Sequence, residues 1–158
     1  MILEVSKCHP DAKLPVRAHK WDAGADVFSL EHHWIAPGCN KVIKTGLRIS
    51  VPPGHMVQVM NKSSIASKRG LLVGACVIDP GYTGELMIDL HNVGDSSTRG
   101  ADDLATQFVE INPGDKIAQI VVIPVEHVSF VELTTEQFDN LPKFTARGDG
   151  GFGSTGAK

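Results

Sequence analysis

Lys41-Val42-Ile43-Lys44-Thr45-Gly46-Leu47-Arg48-Ile49-Ser50-Val51-Pro52-Pro53-Gly54-His55-Met56-Val57-Gln58-Val59-Met60 decides the fold. Its β-branched runs are only five or six residues long, and Gly46 and the Pro52-Pro53-Gly54 turn cut them apart. Runs that short are strand-sized rather than helix-sized, and Pro-Gly punctuation marks the reversals. The texture continues outward in both directions. Strands are expected at 41–45, 47–51, 55–60, 74–79, 85–92, 108–111, 116–124 and 127–133, with further turns at Asp79-Pro80-Gly81 and Asn112-Pro113-Gly114. Many short strands at this spacing imply an all-β barrel or sandwich. The single helical piece is 64–69, where Ile65-Ala66-Ser67-Lys68 follows serines that are candidate caps. The polar, small-residue stretch 94–106 reads as an exposed excursion from a hairpin, and the strand pattern stops beyond Pro142.

The chain's 158 residues suit one domain with a sizeable core. Fifteen Lys and Arg against eighteen Asp and Glu, with no basic block, argue against direct binding of duplex nucleic acid. No apolar run approaches membrane-spanning length and no signal-peptide pattern opens the chain, so a membrane role is not expected and a cytosolic location is. Cys8, Cys39 and Cys76 are odd in number and widely spaced, which suits a reducing compartment. The seven histidines show no zinc spacing with them.

Five segments carry chemistry. The tail Arg147-Gly148-Asp149-Gly150-Gly151-Phe152-Gly153-Ser154-Thr155-Gly156 is too glycine-rich to pack a core. It nevertheless offers a guanidinium fork for phosphate, a flat face for a base and backbone N–H groups that can come close. A frayed polar terminus is the plain alternative. Val77-Ile78-Asp79-Pro80-Gly81-Tyr82-Thr83-Gly84-Glu85 sets a carboxylate and an aromatic three residues apart across a type II turn, with a hairpin expected on either side. Asp-Pro-Gly also serves simply to open a turn. Asn61-Lys62-Ser63-Ser64 puts two hydroxyls and a lysine at a helix start, where free N–H groups favour an anion. The same pattern equally describes an ordinary serine-capped turn. Ala23-Gly24-Ala25-Asp26-Val27 brings an acid into a strand, and Gly114-Asp115-Lys116-Ile117-Ala118-Gln119 places an amide in an apolar strand where it needs a partner.

Together and in this order, the segments 23–27, 62–70, 76–85, 114–119 and 147–156 closely resemble the five motifs of the trimeric dUTPases. The resemblance spans nearly the whole chain. It implies a β jelly roll or distorted barrel over 1–142, a flexible C-terminal arm over 143–158, and a homotrimer whose active sites draw on three subunits. The implied reaction converts dUTP and water to dUMP and pyrophosphate with Mg²⁺. By resemblance, Asp79 activates the attacking water. Tyr82 packs on the deoxyribose and excludes a 2′-hydroxyl, and the backbone near Cys76, Val77, Ile78 and Met87 reads uracil. Lys62, Ser63, Ser64 and Gln119 serve the phosphates, and Arg147 holds the terminal one. Phe152 stacks on the base, while Gly153, Ser154 and Thr155 complete the clamp. Mg²⁺ rides mainly on substrate oxygens, and Asp26 reaches it only through water or else serves the architecture.

Three features depart from the family pattern. Lys62 stands where arginine is usual, replacing a fork with a point charge. Cys76 stands where glycine is common, and the 94–106 connection is longer than usual. That connection is a passive loop, an intersubunit contact or a docking site for a protein partner. A dCTP deaminase shares the implied fold, and Asp89 lies near the position of its working glutamate. Asp89 otherwise reads as a solvent-facing strand residue. A regulatory binding protein that uses the nucleotide site as a switch is the reading from a different class.

Overall fold

In a computed structural model, residues 1–94 and 108–142 are described. The stretch 41–60 supplies most of β4 (Asn40–Lys44), all of β5 (Leu47–Ser50) and all of β6 (His55–Met60). Before them run β1 (Glu4–Lys7), β2 (Ala25–Phe28) and β3 (His33–Ile35). After them come α1 (Ser63–Arg69), β7 (Leu71–Val73), β8 (Val77–Ile78), β9 (Met87–Asn92), β10 (Val109–Ile111) and β11 (Lys116–Pro124). A second short helix, α2 (Thr135–Asp139), follows.

The described chain divides into two compact units, the first Met1–Glu126 and the second beginning at His127. Within the first, the strands pair antiparallel in four small sheets: β2-β11-β6-β8, β4-β9-β7, β1-β5 and β3-β10. Alternation does the sorting. In β9, Ile88 and Leu90 are buried while Met87, Asp89 and His91 take the other face. Val27, Ile43, Leu47, Val57, Ile88, Ile111 and Ala118 from seven different strands meet in one fully buried core. Two polar side chains caught inside are satisfied: Thr45 Oγ1 donates to the Leu86 carbonyl at 2.6 Å and Asn92 Nδ2 to that of Ile35 at 2.9 Å.

Four expectations from the sequence are corrected. Residues 74–79 are not one strand: β7 ends at Val73 in one sheet, and β8 begins at Val77 in another. Gly74 donates its N–H to the Asp89 carbonyl, while the Cys76 carbonyl accepts from Val59, so the chain crosses between sheets at 74–76. Nor do the segments flanking Asp79-Pro80-Gly81 form a hairpin, because β8 pairs with β6 and β9 with β4 and β7. A type II turn splays its flanking strands instead of matching their twist. The helix starts one residue earlier than expected, with Lys62 at its N-cap and no side-chain cap. Finally, residues 127–133 join no ladder among the described residues. They keep an apolar strand composition with Val128, Phe130 and Val131 exposed. The second helix, α2, has a complete capping box between Thr134 and Gln137, a signal present in the sequence as Thr-x-x-Gln.

Candidate active site

The crossing at 74–76 and the splayed turn after β8 leave space between two sheets. A cavity of about 350 Å³ occupies it, walled by Val42, Val59, Ala75, Val77, Ile78, Leu86 and Met87. Its polar lining consists of Asp79, Tyr82, Glu85 and Asp89. Such a hollow, mostly apolar with a few placed polar groups, is the ordinary form of a small-ligand site.

The turn fixes the first two of those groups. Gly81 has φ +85°, the value a type II turn demands at its third position, and Tyr82 N–H donates to the Asp79 carbonyl at 3.3 Å. Tyr82 Oη then donates to the Glu85 carbonyl at 2.9 Å, which locks the ring. A Cβ on Gly84 would lie 2.4 Å from that hydroxyl oxygen and 2.5 Å from Cζ, so only glycine lets the ring lie down over the chain. Glu85 is also committed: its Oε1 accepts from Gly46 N–H at 2.7 Å.

A second cluster lies where β2, β11, β6 and α1 converge. Asp26 is buried in β2, yet Lys62 Nζ donates to its Oδ1 at 2.9 Å and Lys116 Nζ to its Oδ2 at 2.8 Å. Burial alone would raise its pKa. The hydrogen bonds from Lys116 and Lys62, and their charges, outweigh this and hold the carboxyl below the usual carboxylate range. Gln119 pairs in register with Asp26 and Met60, and its amide donates to the Asn61 carbonyl at 2.9 Å. The amide thus has the partner that its place in an apolar strand requires. Ser63 and Ser64 open α1 beside Lys62.

Of the residues singled out in the sequence, Val77, Ile78, Asp79, Tyr82 and Met87 therefore gather in the cavity, with Cys76 adjoining it through its backbone. Lys62, Ser63, Ser64, Gln119 and Asp26 gather at the charged junction, and none of them lines the cavity. Arg147, Phe152, Gly153, Ser154 and Thr155 lie outside the described residues, as does nearly all of 94–106. Lys116, Gly84 and Asn40 were not foreseen as site residues. The first two sat inside quoted motifs, but nothing local marks Asn40, whose partner Asp89 is 49 residues away.

Asp26 does not fit a direct Mg²⁺ ligand, because an ammonium group faces each of its oxygens. Among the described residues no group of three or more His, Cys, Asp or Glu side chains could hold a metal ion. No described helix is long and apolar enough to cross a membrane.

A mostly β fold with an apolar cavity beside an acidic turn defines a small-ligand-binding β protein. The dUTPase family model matches residues 10–156. The deoxyuridine 5′-triphosphate nucleotidohydrolase of Thermobifida fusca is 38% identical over 156 residues, 98% of this chain and 78% of that protein. That of Mycobacterium marinum is also 38% identical, over 98% of this chain and 94% of its own. Among solved structures, the Staphylococcus bacteriophage 80alpha dUTPase with dUpNHpp matches at a TM-score of 0.84 and 28% identity, covering 98% of each chain. The dUTPase of phage phi11 of S. aureus, described with a species-specific insert, matches at 0.76 and 30%, over 84% of this chain and 96% of its own. A variant of that phi11 enzyme is described with a structural Mg(II) ion. The chain belongs to the dUTPase family.

Proposed function

We propose that this chain is a dUTP diphosphatase, hydrolysing dUTP to dUMP and pyrophosphate. The observation that carries the reading is a single apolar cavity lined by both Asp79 and Tyr82, held three residues apart by one turn. In the reaction, Asp79 accepts a proton from water as that water's oxygen attacks the α-phosphorus in line and the bond to the bridging oxygen breaks. The locked Tyr82 ring packs on the deoxyribose and leaves no room for a 2′-hydroxyl. Backbone groups at Cys76, Val77, Ile78 and Met87 meet the uracil.

Ser63 donates toward the departing oxygen, and Ser64, Gln119 and Lys62 serve the phosphate chain. Arg147 holds the terminal phosphate, Phe152 stacks on the base, and Gly153, Ser154 and Thr155 finish the enclosure. Mg²⁺, when bound, neutralises the triphosphate; it sits mainly on substrate oxygens, with Asp26 at most a contact through water. The separation of the cavity residues from the junction residues within one chain supports a homotrimer with shared sites. A barrel over 1–142 and a closing arm over 143–158 complete the organisation. The enzyme works in the cytoplasm, or in the host cytoplasm if virus-encoded, where it limits uracil incorporation into DNA and supplies dUMP. A protein partner at 94–106 is a second role, favoured by solved phage relatives that are described as controlling transfer of virulence genes.

Purified protein is incubated with Mg²⁺ and dUTP, dCTP or UTP, and pyrophosphate and deaminated product are measured. Pyrophosphate from dUTP alone is the expected result, and conversion of dCTP to a uracil nucleotide would overturn the assignment. Mixing Asp79→Asn subunits with subunits truncated after Lys143 should restore part of the activity. Verified mixed trimers that recover nothing would count against a shared site.

A further inference from the structure

Strands β3 and β10 pair with each other and with no other described strand, so they form a two-stranded ribbon. Alternation gives that ribbon two faces. On the inner face Ile35 and Ile111 are buried, and His33, which pairs in register with Ile111, is only 13% exposed in its side chain. Trp34 and Glu110 pair on the outer face. His32, just before β3, joins them there: its Nε2 lies 2.9 Å from Glu110 Oε1, and its ring meets Trp34 edge-on at 5.9 Å.

Two neighbouring imidazoles thus hold opposite places. A proton on His32 makes its contact with Glu110 an ion pair and strengthens a tie between the two strands. A proton on His33 meets no such partner. Its Nε2 is buried without a hydrogen bond among the described residues; Glu31 Oε2 stands 3.4 Å away without forming one. The other oxygen of that carboxylate is shared with Lys44 Nζ at 3.7 Å. Burial lowers the His33 pKa, the charges of Lys41 and His32 add to this, and Glu31 opposes it.

We propose that the β3–β10 ribbon is an acid-operated device: protonation of His33 unseats it from the core, while the His32–Glu110 contact keeps its two strands together. The groups that face the switch are Glu31 and His32 beside it, Lys41 and Lys44 from β4, and Glu110 from β10. A charged His33 ring regains hydration only by leaving the apolar face. Strand β3 is three residues long, and no ladder ties the ribbon to the other sheets, so the two strands leave as one piece. The seated ribbon binds the proton less readily than the released one. Its stability is therefore full above about pH 6.5 and is lost as pH falls through the lower seated value.

Amide hydrogen exchange on the full chain at pH 7.5 and 5.5, corrected for intrinsic rates, tests this. In wild type the protection of 33–35 and 109–111 should fall about threefold or more on acidification, beyond any change in β6 and β11. His33→Phe should hold ribbon protection constant between the two pH values. His33→Gln, polar but without a titrating proton, should do the same and covers the case in which phenylalanine disturbs the packing. His32→Ala should lower ribbon protection at both pH values and keep the acid-dependent fall. An equal fall in the ribbon, β6 and β11 would place the effect in global unfolding and overturn the proposal. A fall that persists in both His33 variants, or one that vanishes in His32→Ala, would overturn it as well.

Discussion

The cavity beside Asp79 and the junction around Asp26 are built on opposite plans. The cavity is walled by aliphatic side chains, and its shape comes from backbone: a sheet-to-sheet crossing, a splayed turn and a glycine under a tyrosine ring. The junction is ionic, with one buried carboxylate bridging two ammonium groups and leaving one positive charge in excess. A ligand entering the first displaces little beyond water. Both lysines of the second are already held by Asp26. Preformed apolar shape and prepaired charge thus belong to different sets of residues.

Changes on either side of that contrast should have effects of different kinds. Asp79→Asn removes the proton acceptor while keeping the turn, and should lower kcat for pyrophosphate release about a hundredfold to ten-thousandfold with little change in melting temperature. A loss of under fivefold would mean that the water is activated elsewhere. On the ionic side, Asp26→Ala leaves Lys62 and Lys116 facing each other without a counter-charge, and should cost about 3 kcal/mol in urea unfolding. Full stability in that variant would show that the junction contributes no net energy. Acid should trace the same pair. The Asp26 carboxyl is depressed when folded, so its contribution is complete above the unfolded value near 3.9 and is lost as pH falls through the lower folded value. Asp26→Ala should lack that acid step.

Gly84→Ala attacks the cavity through its backbone. The new methyl collides with the Tyr82 ring, and kcat/KM for dUTP should fall about tenfold while discrimination against UTP weakens. The smallest effect belongs to neither region. His33 Nε2 is buried, 3.4 Å from Glu31 Oε2 and without a hydrogen bond among the described residues. Burial lowers its pKa, with Lys41 adding to the effect and Glu31 opposing it. The folded state therefore binds this proton less readily than the unfolded chain. Stability from His33 is full above about pH 6.5 and declines as pH falls through the folded value. Between pH 7.5 and 5.5 the wild type should lose about 1 to 3 °C more in Tm than His33→Phe does. Equal losses would show that the ring carries no linkage.

The sequence by itself determined the class of fold, most strand positions and the cavity's turn. Those features are local: β-branched runs of strand length, Pro-Gly breaks, and a type II turn whose φ only Gly81 supplies at no cost. It also carried the family, because five motifs in order are a joint signal that survives the ambiguity of each one. Tertiary structure alone decided three things. It split 74–79 between two sheets and parted the expected hairpin, since pairing partners are chosen by the whole core and not by the turn. It spent both lysines on Asp26, a contact between residues 36 and 90 positions apart that no local pattern encodes. And it gripped Asp89 between Asn40 and His91, turning a residue that alternation alone would leave to solvent into a fixed acceptor in the cavity.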